Sequence, residues 1–258
     1  MQKGLLTEFW IFGLKQTRAS IFAGSFFILL FLSNYLPLGP LYRYDFLFLA
    51  SLALQVVLYY TKIETKDEIK TITLFHILGL CLELYKTQPW VGSWSYPEPG
   101  IFRISTVPLF SGFMYAAIGS YISQSWRIMK LNLTGPVPYF ASAVLSALIY
   151  LNFFTNHFVQ DIRWILIFGV FYIYRKTWVA FIVTDKKRRM PLSLSFLLIA
   201  FFIWIAENIS TYLGAWKYPD QHIAWSIVSL HKISSWFLLV IISVILIANL
   251  KHAKQNRQ

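Results

Sequence analysis

Charged side chains are scarce: 13% of the 258 residues are Asp, Glu, Lys or Arg, where a soluble domain of ordinary composition carries roughly a quarter. So few charges cannot cover a water-exposed surface. With 57% hydrophobic and 19% aromatic residues, the composition is that of a membrane protein. Cysteine is almost absent. The single Cys81 lies in an apolar run, which excludes an intramolecular disulfide and a Cys-x-x-Cys metal or redox pair. Histidine is equally thin: five residues (His76, His157, His222, His231, His252) are too few for the multi-histidine di-iron centre of membrane desaturases. His-Glu-x-x-His, the phosphate-cradling Gly-x-x-x-x-Gly-Lys-Ser/Thr and Gly-x-Ser-x-Gly are all missing, so metalloprotease, P-loop and hydrolase chemistries fall away. Five scattered aspartates with no Asp-x-x-x-Asp pair cannot hold a magnesium diphosphate. No metal and no cofactor is implied.

Eight apolar segments can be drawn, at roughly 19–36, 44–61, 68–86, 104–123, 137–155, 161–180, 191–213 and 223–249. One crossing of a ~30 Å hydrocarbon core needs ~20 helical residues, so the chain has room for about ten helices and no soluble domain. The pattern predicts an all-α fold: one polytopic domain over residues 1–258, eight transmembrane helices as two parallel four-helix halves, about 19–123 and 137–249. Residues 5–18, aromatic on one side and carrying Lys15 and Arg18, suit a helix lying at the interface. The N-terminus lacks the compact apolar core and cleavage site of a signal peptide, so the first helix is retained. Breaks such as TKIETKDEIK (61–70) and TDKKRRMP (184–191) read as loops.

The net charge of +12 would suggest a nucleic-acid partner in a soluble protein. Here it marks loops. With eight crossings, 17 of the 23 Lys and Arg residues fall on one side and five on the other, which predicts that both termini are cytoplasmic and that nucleic acid is not a partner.

The strongest internal signal is a repeat. Gly92-Ser-Trp94-Ser-Tyr96-Pro97-Glu98 and Gly214-Ala-Trp216-Lys-Tyr218-Pro219-Asp220 share the order Gly-x-Trp-x-Tyr-Pro-acid, 122 residues apart. Each follows a helix with an acid near its end, Glu83 nine residues before the first Gly and Glu207 seven before the second. Tryptophan and tyrosine at this depth fit an aromatic belt, but a belt does not require the same order twice with Gly before and Pro-acid after. That order specifies a turn aiming an indole and a phenol in fixed directions.

His76, Gly79, Glu83 and Lys86 recur on one stripe of their helix. An ionisable group in hydrocarbon is costly unless paired or watered, so the stripe points to a polar interior. Asn208 and Thr211 lie beside Glu207, and His231 and Lys232 come at a similar depth on the last helix. Lys232 is placed to pair with Glu207 or Glu83, a contact that would fix packing and pull the carboxyl pKa down; an apolar pocket without a cation would raise it and make the acid a proton donor. For His76 the bland role is a satisfied interhelical hydrogen bond. Pro108, Ser111, Gly112, Tyr115 and Gly119 form a small and polar face suited to close helix packing.

The runs HILGLCLELYKTQPWVGSWSYPEPG with PLFSGFMYAAIGSY, and WIAENISTYLGAWKYPD with SLHKISSWFLLV, resemble the YoaT-like family of bacterial integral membrane proteins over nearly the whole chain. The resemblance implies a bacterial inner-membrane location and no established activity. A local likeness to membrane-bound carotenoid hydratases rests on Glu83, Gly92, Trp94, Tyr96, Pro108 and Leu109. It implies protonation of a trisubstituted alkene by a glutamic acid, with the tertiary carbocation held by aromatic faces.

Two functions follow. One is an intramembrane enzyme on an isoprenoid or other lipid, of hydratase or cyclase type, in which Glu83 or Glu207 is the acid with His76, His231 and Lys232 as further catalytic candidates. Trp94, Tyr96, Trp216, Tyr218, Asn208 and Tyr115 would then bind the apolar substrate, and membrane lipids are the surrounding partners. The alternative is a small-solute transporter or a lipid-binding protein without catalysis, for which a two-half architecture with a polar mid-membrane site is usual.

Overall fold

The computed structural model describes residues 4–255. Among these, nine α-helices and five short strands follow one another. The chain opens with α1 (Leu5–Ala19) and α2 (Ile21–Leu32), joined at Ser20, then α3 (Arg43–Tyr60) and α4 (Lys66–Lys86). A two-stranded hairpin, β1 (Arg103–Ile104) with β2 (Val107–Pro108), leads into α5 (Ser111–Ile128). Next come β3 (Asn132–Thr134), α6 (Tyr139–Thr155), α7 (Arg163–Ile173), β4 (Trp178–Ile182) and β5 (Lys187–Pro191). The chain continues through α8 (Leu192–Tyr212) to α9 (His231–Gln255).

This corrects the expected all-α bundle of eight spans. Only α8 is both long and apolar enough to cross a membrane among the described residues, with 21 residues and a mean hydropathy of 2.0. The apolar segments do become helices, but turns cut them short. The first ends as α2 after 12 residues, the sixth as α7 after 11, and the last turns helical only at His231. At ~1.5 Å per residue, a 12-residue helix spans ~18 Å, well short of the hydrocarbon core. α4 has the length, yet Lys66, Asp67, Glu68, Lys70, Glu83 and Lys86 within its 21 residues take it out of the class. The sorting of basic residues onto two sides no longer has eight crossings to rest on.

The basic run 184–191 is a loop only as far as residue 186; from Lys187 it is β5, which pairs antiparallel with β4 from Lys187↔Ile182 to Pro191↔Trp178, and β3 pairs on the other edge of β4.

Two compact units divide the chain. One comprises Ser125–Ala206 with the residues of Met1–Gln16 and Val228–Gln258 that are described. Its buried rings include Tyr174, Phe196 and Phe237, Tyr174 donating to the Ser142 hydroxyl at 2.7 Å. Arg188 on β5 makes a two-pronged ion pair with Glu8 of α1 at 2.6 and 2.8 Å. A largely apolar groove of about 530 Å³ is lined by Trp164, Phe171, Leu197, His231 and Phe237, among others.

The other unit, Thr17–Gln124 with Glu207–Ile227, holds both repeated motifs. Its core is aromatic: Phe22 and Phe26 of α2 and Tyr44 of α3 stack about Phe110 and Phe113. α4 starts at a capping box, Thr65 and Glu68 each accepting from the other's backbone N–H, which satisfies two otherwise orphaned donors. α4 and α5 approach so closely that Gly79 lies under the Tyr115 ring and Gly112 under His76. That approach sets the Tyr115 hydroxyl on Glu83.

Candidate functional site

Both motifs begin where a helix stops. α8 closes with a hydrogen bond from Ala215 N–H to Ser210 C=O at 2.9 Å and one from Gly214 to Thr211 at 3.1 Å, with Gly214 at φ +75°. This is the Schellman termination, and its left-handed residue favours glycine. After α4 the chain runs through a further turn before Gly92, which adopts φ +56° and donates to Gln88 C=O at 2.8 Å.

The two motifs then meet. Ser95 and Lys217 form an isolated antiparallel bridge, each N–H donating to the other's carbonyl at 2.9 and 3.0 Å. Both residues occupy the central position of their motifs, so the motifs are related by a local two-fold axis through the bridge. Trp94 therefore lies opposite Tyr218, with ring centroids 6.2 Å apart at 80°.

Inside this junction lie the acids. Glu83, 2% exposed, accepts on Oε2 from Trp94 Nε1 at 2.7 Å and Tyr96 Oη at 2.8 Å, and on Oε1 from Tyr115 Oη at 2.8 Å. Glu207, 3% exposed, accepts from the Tyr218 hydroxyl, and Trp216 hydrogen-bonds Tyr218 in turn. Tyr115 and Tyr218 each feel the charge of both carboxyls, so the acids share one electrostatic cluster. Burial pushes the Glu83 carboxyl up to about 7 even though its three donors pull the other way. The phenols of Tyr96, Tyr115 and Tyr218 are driven well above their ordinary range, first by burial and then by the neighbouring carboxyls.

Arg43, at the start of α3, secures the junction. It donates to Glu98 at 2.5 Å and to the Leu213 and Gly214 carbonyls at 2.6 and 3.2 Å, so one guanidinium holds the acid of the first motif against the glycine of the second. A cation at the carbonyl end of α8 also opposes that helix's dipole. Asp45, fully buried, accepts from the backbone N–H of Ile101 at 2.8 and 2.9 Å and of Phe102 at 2.8 Å, anchoring the loop that leaves the first motif.

The other expected site residues are placed differently. His76 lies two turns from Glu83, its ring edge-on to Phe113 at 4.5 Å, and burial lowers its pKa. Asn208 is half-buried on α8 next to Glu207. His231 and Lys232 open α9 in the other unit, where His231 is exposed and borders the apolar groove. Pro108 stands in a strand rather than opening a helix. Arg43 and Asp45 were not among the expected site residues, and Glu98 was expected only as the acid closing the first motif. The acid closing each motif was the one hint of a partner for an arginine.

Over residues 8–244 the chain matches a family described as a protein of unknown function, DUF817. The chain belongs to this family. It is 50% identical over 245 residues to the uncharacterized protein YoaT of Bacillus subtilis (strain 168), covering 95% of this chain and 92% of that one. No solved structure matches it. The likeness to carotenoid hydratases finds no support in these comparisons.

The raised pKa of Glu83 gives this member of the family a pH-dependent stability. A carboxyl near 4.3 in the unfolded chain and about 7 in the folded one binds more protons when folded, so its contribution is complete below ~4.3 and is lost as pH rises through 7. The full loss approaches about 4 kcal/mol. Chemical unfolding at pH 5 and pH 8 is expected to show this fall in the native chain and to lose most of it in Glu83→Gln.

Proposed function

We propose that this protein is a membrane-resident enzyme in which Glu83 acts as a general acid on an apolar unsaturated lipid of isoprenoid type. The observation that carries this reading is the carboxyl of Glu83, sealed from solvent and ringed by Trp94, Tyr96 and Tyr115. Residence in a membrane is supported by α8. It is supported too by large apolar side chains left exposed on shorter helices, among them Leu6 and Trp10 of α1, Phe140 of α6 and Phe168 of α7; scattered exposed leucines are ordinary, runs of exposed aromatics are not.

The chemistry follows from the parts. Glu83 gives its proton to one carbon of a trisubstituted alkene, leaving a tertiary cation on the other. Trp94, Tyr96, Trp216 and Tyr218 are assigned the π faces that hold it, with Tyr115 and Asn208 assigned to substrate binding beside them. The cation is quenched by addition of water, whose surplus proton returns to the Glu83 carboxylate, or by ring closure with loss of a proton to Glu207. Trp94, half-buried, is the side of the cluster open to approach.

In a producing cell, Glu83→Gln and Glu207→Gln are each expected to accumulate an unsaturated lipid and lose its hydrated or cyclised product by about 100-fold or more, the scale of a missing general acid. Lipid extracts analysed by mass spectrometry read both. Unchanged profiles in both variants would discard the enzyme, and solute uptake by proteoliposomes would then favour a transporter.

A further inference from the structure

In the unit that does not hold Glu83, the amphipathic α1 and the basic hairpin β4–β5 fold against each other. Leu5, Leu6, Phe9, Trp10 and Leu14 fall on one face of α1, and each is more than half exposed, up to 87% at Leu6. The opposite face is taken up by the hairpin. Glu8 accepts from Arg188 on both carboxylate oxygens, the Phe12 ring packs on Phe181 with centroids 6.0 Å apart, and Lys15 donates to the Ile182 carbonyl at 3.0 Å. Three contacts spread over two turns fix the rotation of the helix, so its apolar face points away from the strands.

An exposed apolar strip of this kind marks an interaction surface, and the charge beside it indicates the occupant. α1 and residues 178–191 together carry six cations against two acids, Glu8 and Asp185. Lys186 acts on Glu8 along with Arg188, which sets it at the flank of α1, and Lys187 and Arg189 stand exposed on either side of Arg188. A helix is ~10 Å across, so cations behind α1 lie within about one Debye length of whatever its apolar face touches. Cations on an edge strand also deter pairing with another sheet, but that role asks for no apolar helix latched beside them.

We propose that α1 and the β4–β5 hairpin form one docking surface for the anionic phospholipids of a bilayer. Leu5, Leu6, Phe9, Trp10 and Leu14 enter the boundary between headgroups and acyl chains, ~5–10 Å deep, while the hairpin cations draw phosphates in around the helix. A neutral bilayer would satisfy the apolar face and leave the cations without a counterpart. A second copy of this chain would set like charge against like. The surface does not depend on the chemistry at Glu83.

Fluorescence of the full chain tests it, with Cys81→Ser removing the native thiol and Leu6→Cys carrying an environment-sensitive label. The protein is reconstituted into lipid nanodiscs of phosphatidylcholine alone, or of equal parts phosphatidylcholine and phosphatidylglycerol. In the mixed discs the emission is expected to shift to the blue and to be quenched by brominated acyl chains, and to do both far less in phosphatidylcholine. Lys186→Gln with Lys187→Gln is expected to lower the ratio of shielded to exposed label by about ten-fold or more. Raised salt, which needs no variant, acts in the same direction. A label exposed to water in both kinds of disc, or shielded equally in both, overturns the proposal. Shielding confined to discs that hold two protein copies assigns the face to a dimer and overturns it as well.

Discussion

Asp45→Leu is expected to destabilise the protein by about 4 kcal/mol, the scale of breaking a buried, hydrogen-bonded charge. The carboxylate is fully buried and takes three hydrogen bonds from two successive backbone N–H groups. Leucine has nearly the right volume, so the loss comes from the stranded donors of Ile101 and Phe102 rather than from a cavity. Each unsatisfied donor accounts for about 1–3 kcal/mol. Asp45→Asn keeps one acceptor oxygen and is expected to fall between the two. Denaturant unfolding, comparing midpoints at constant slope, measures both. Leucine and asparagine behaving alike would mean that the loop is held by packing and not by these hydrogen bonds.

Gly79→Val is expected to match that effect, about 3–4 kcal/mol, by steric means. A Cβ at Gly79 would lie 2.4 Å from Cδ2 and 2.8 Å from Cβ of Tyr115, and the phenol cannot swing aside without leaving Glu83. Either α4 and α5 separate or the carboxyl loses one of its three donors. Pairing the change with Tyr115→Ala removes the obstacle, so valine at 79 is expected to lose most of its effect in that background, a coupling that a double-mutant cycle reads directly. Full additivity would place the damage elsewhere.

Which features were legible in the sequence depends on their range. The acids and aromatic pairs stood out because Glu83 precedes Gly-x-Trp-x-Tyr-Pro on one continuous stretch and Glu207 precedes its copy. Asp45 and Arg43 did not, since what they hold lies 55 to 171 residues away and an acid in the first turn of a helix looks like ordinary dipole decoration. Glu64 sat in a run of charges that resembled a solvated loop; its burial is decided by Ser120 and Gln124 on another helix. The spans failed for a different reason. Hydropathy sums over a window and is blind to where helical hydrogen bonding stops, so Ile21–Leu32 and Arg163–Ile173 were stretched into crossings. In 184–191, lysine and arginine hid the pairing with Trp178–Ile182.

The bridge between Ser95 and Lys217 also sets a timetable for biosynthesis. Its halves are 122 positions apart, and contacts so distant along the chain form late because a long loop must close first. During translation Glu83, Trp94 and Tyr96 leave the ribosome well before Tyr218 exists. Until the second motif arrives the first lacks its mate, so the junction around Glu83 closes only after Lys217 has been made. A product truncated before Gly214 would carry every group that touches Glu83 and still be without the antiparallel partner that orders them.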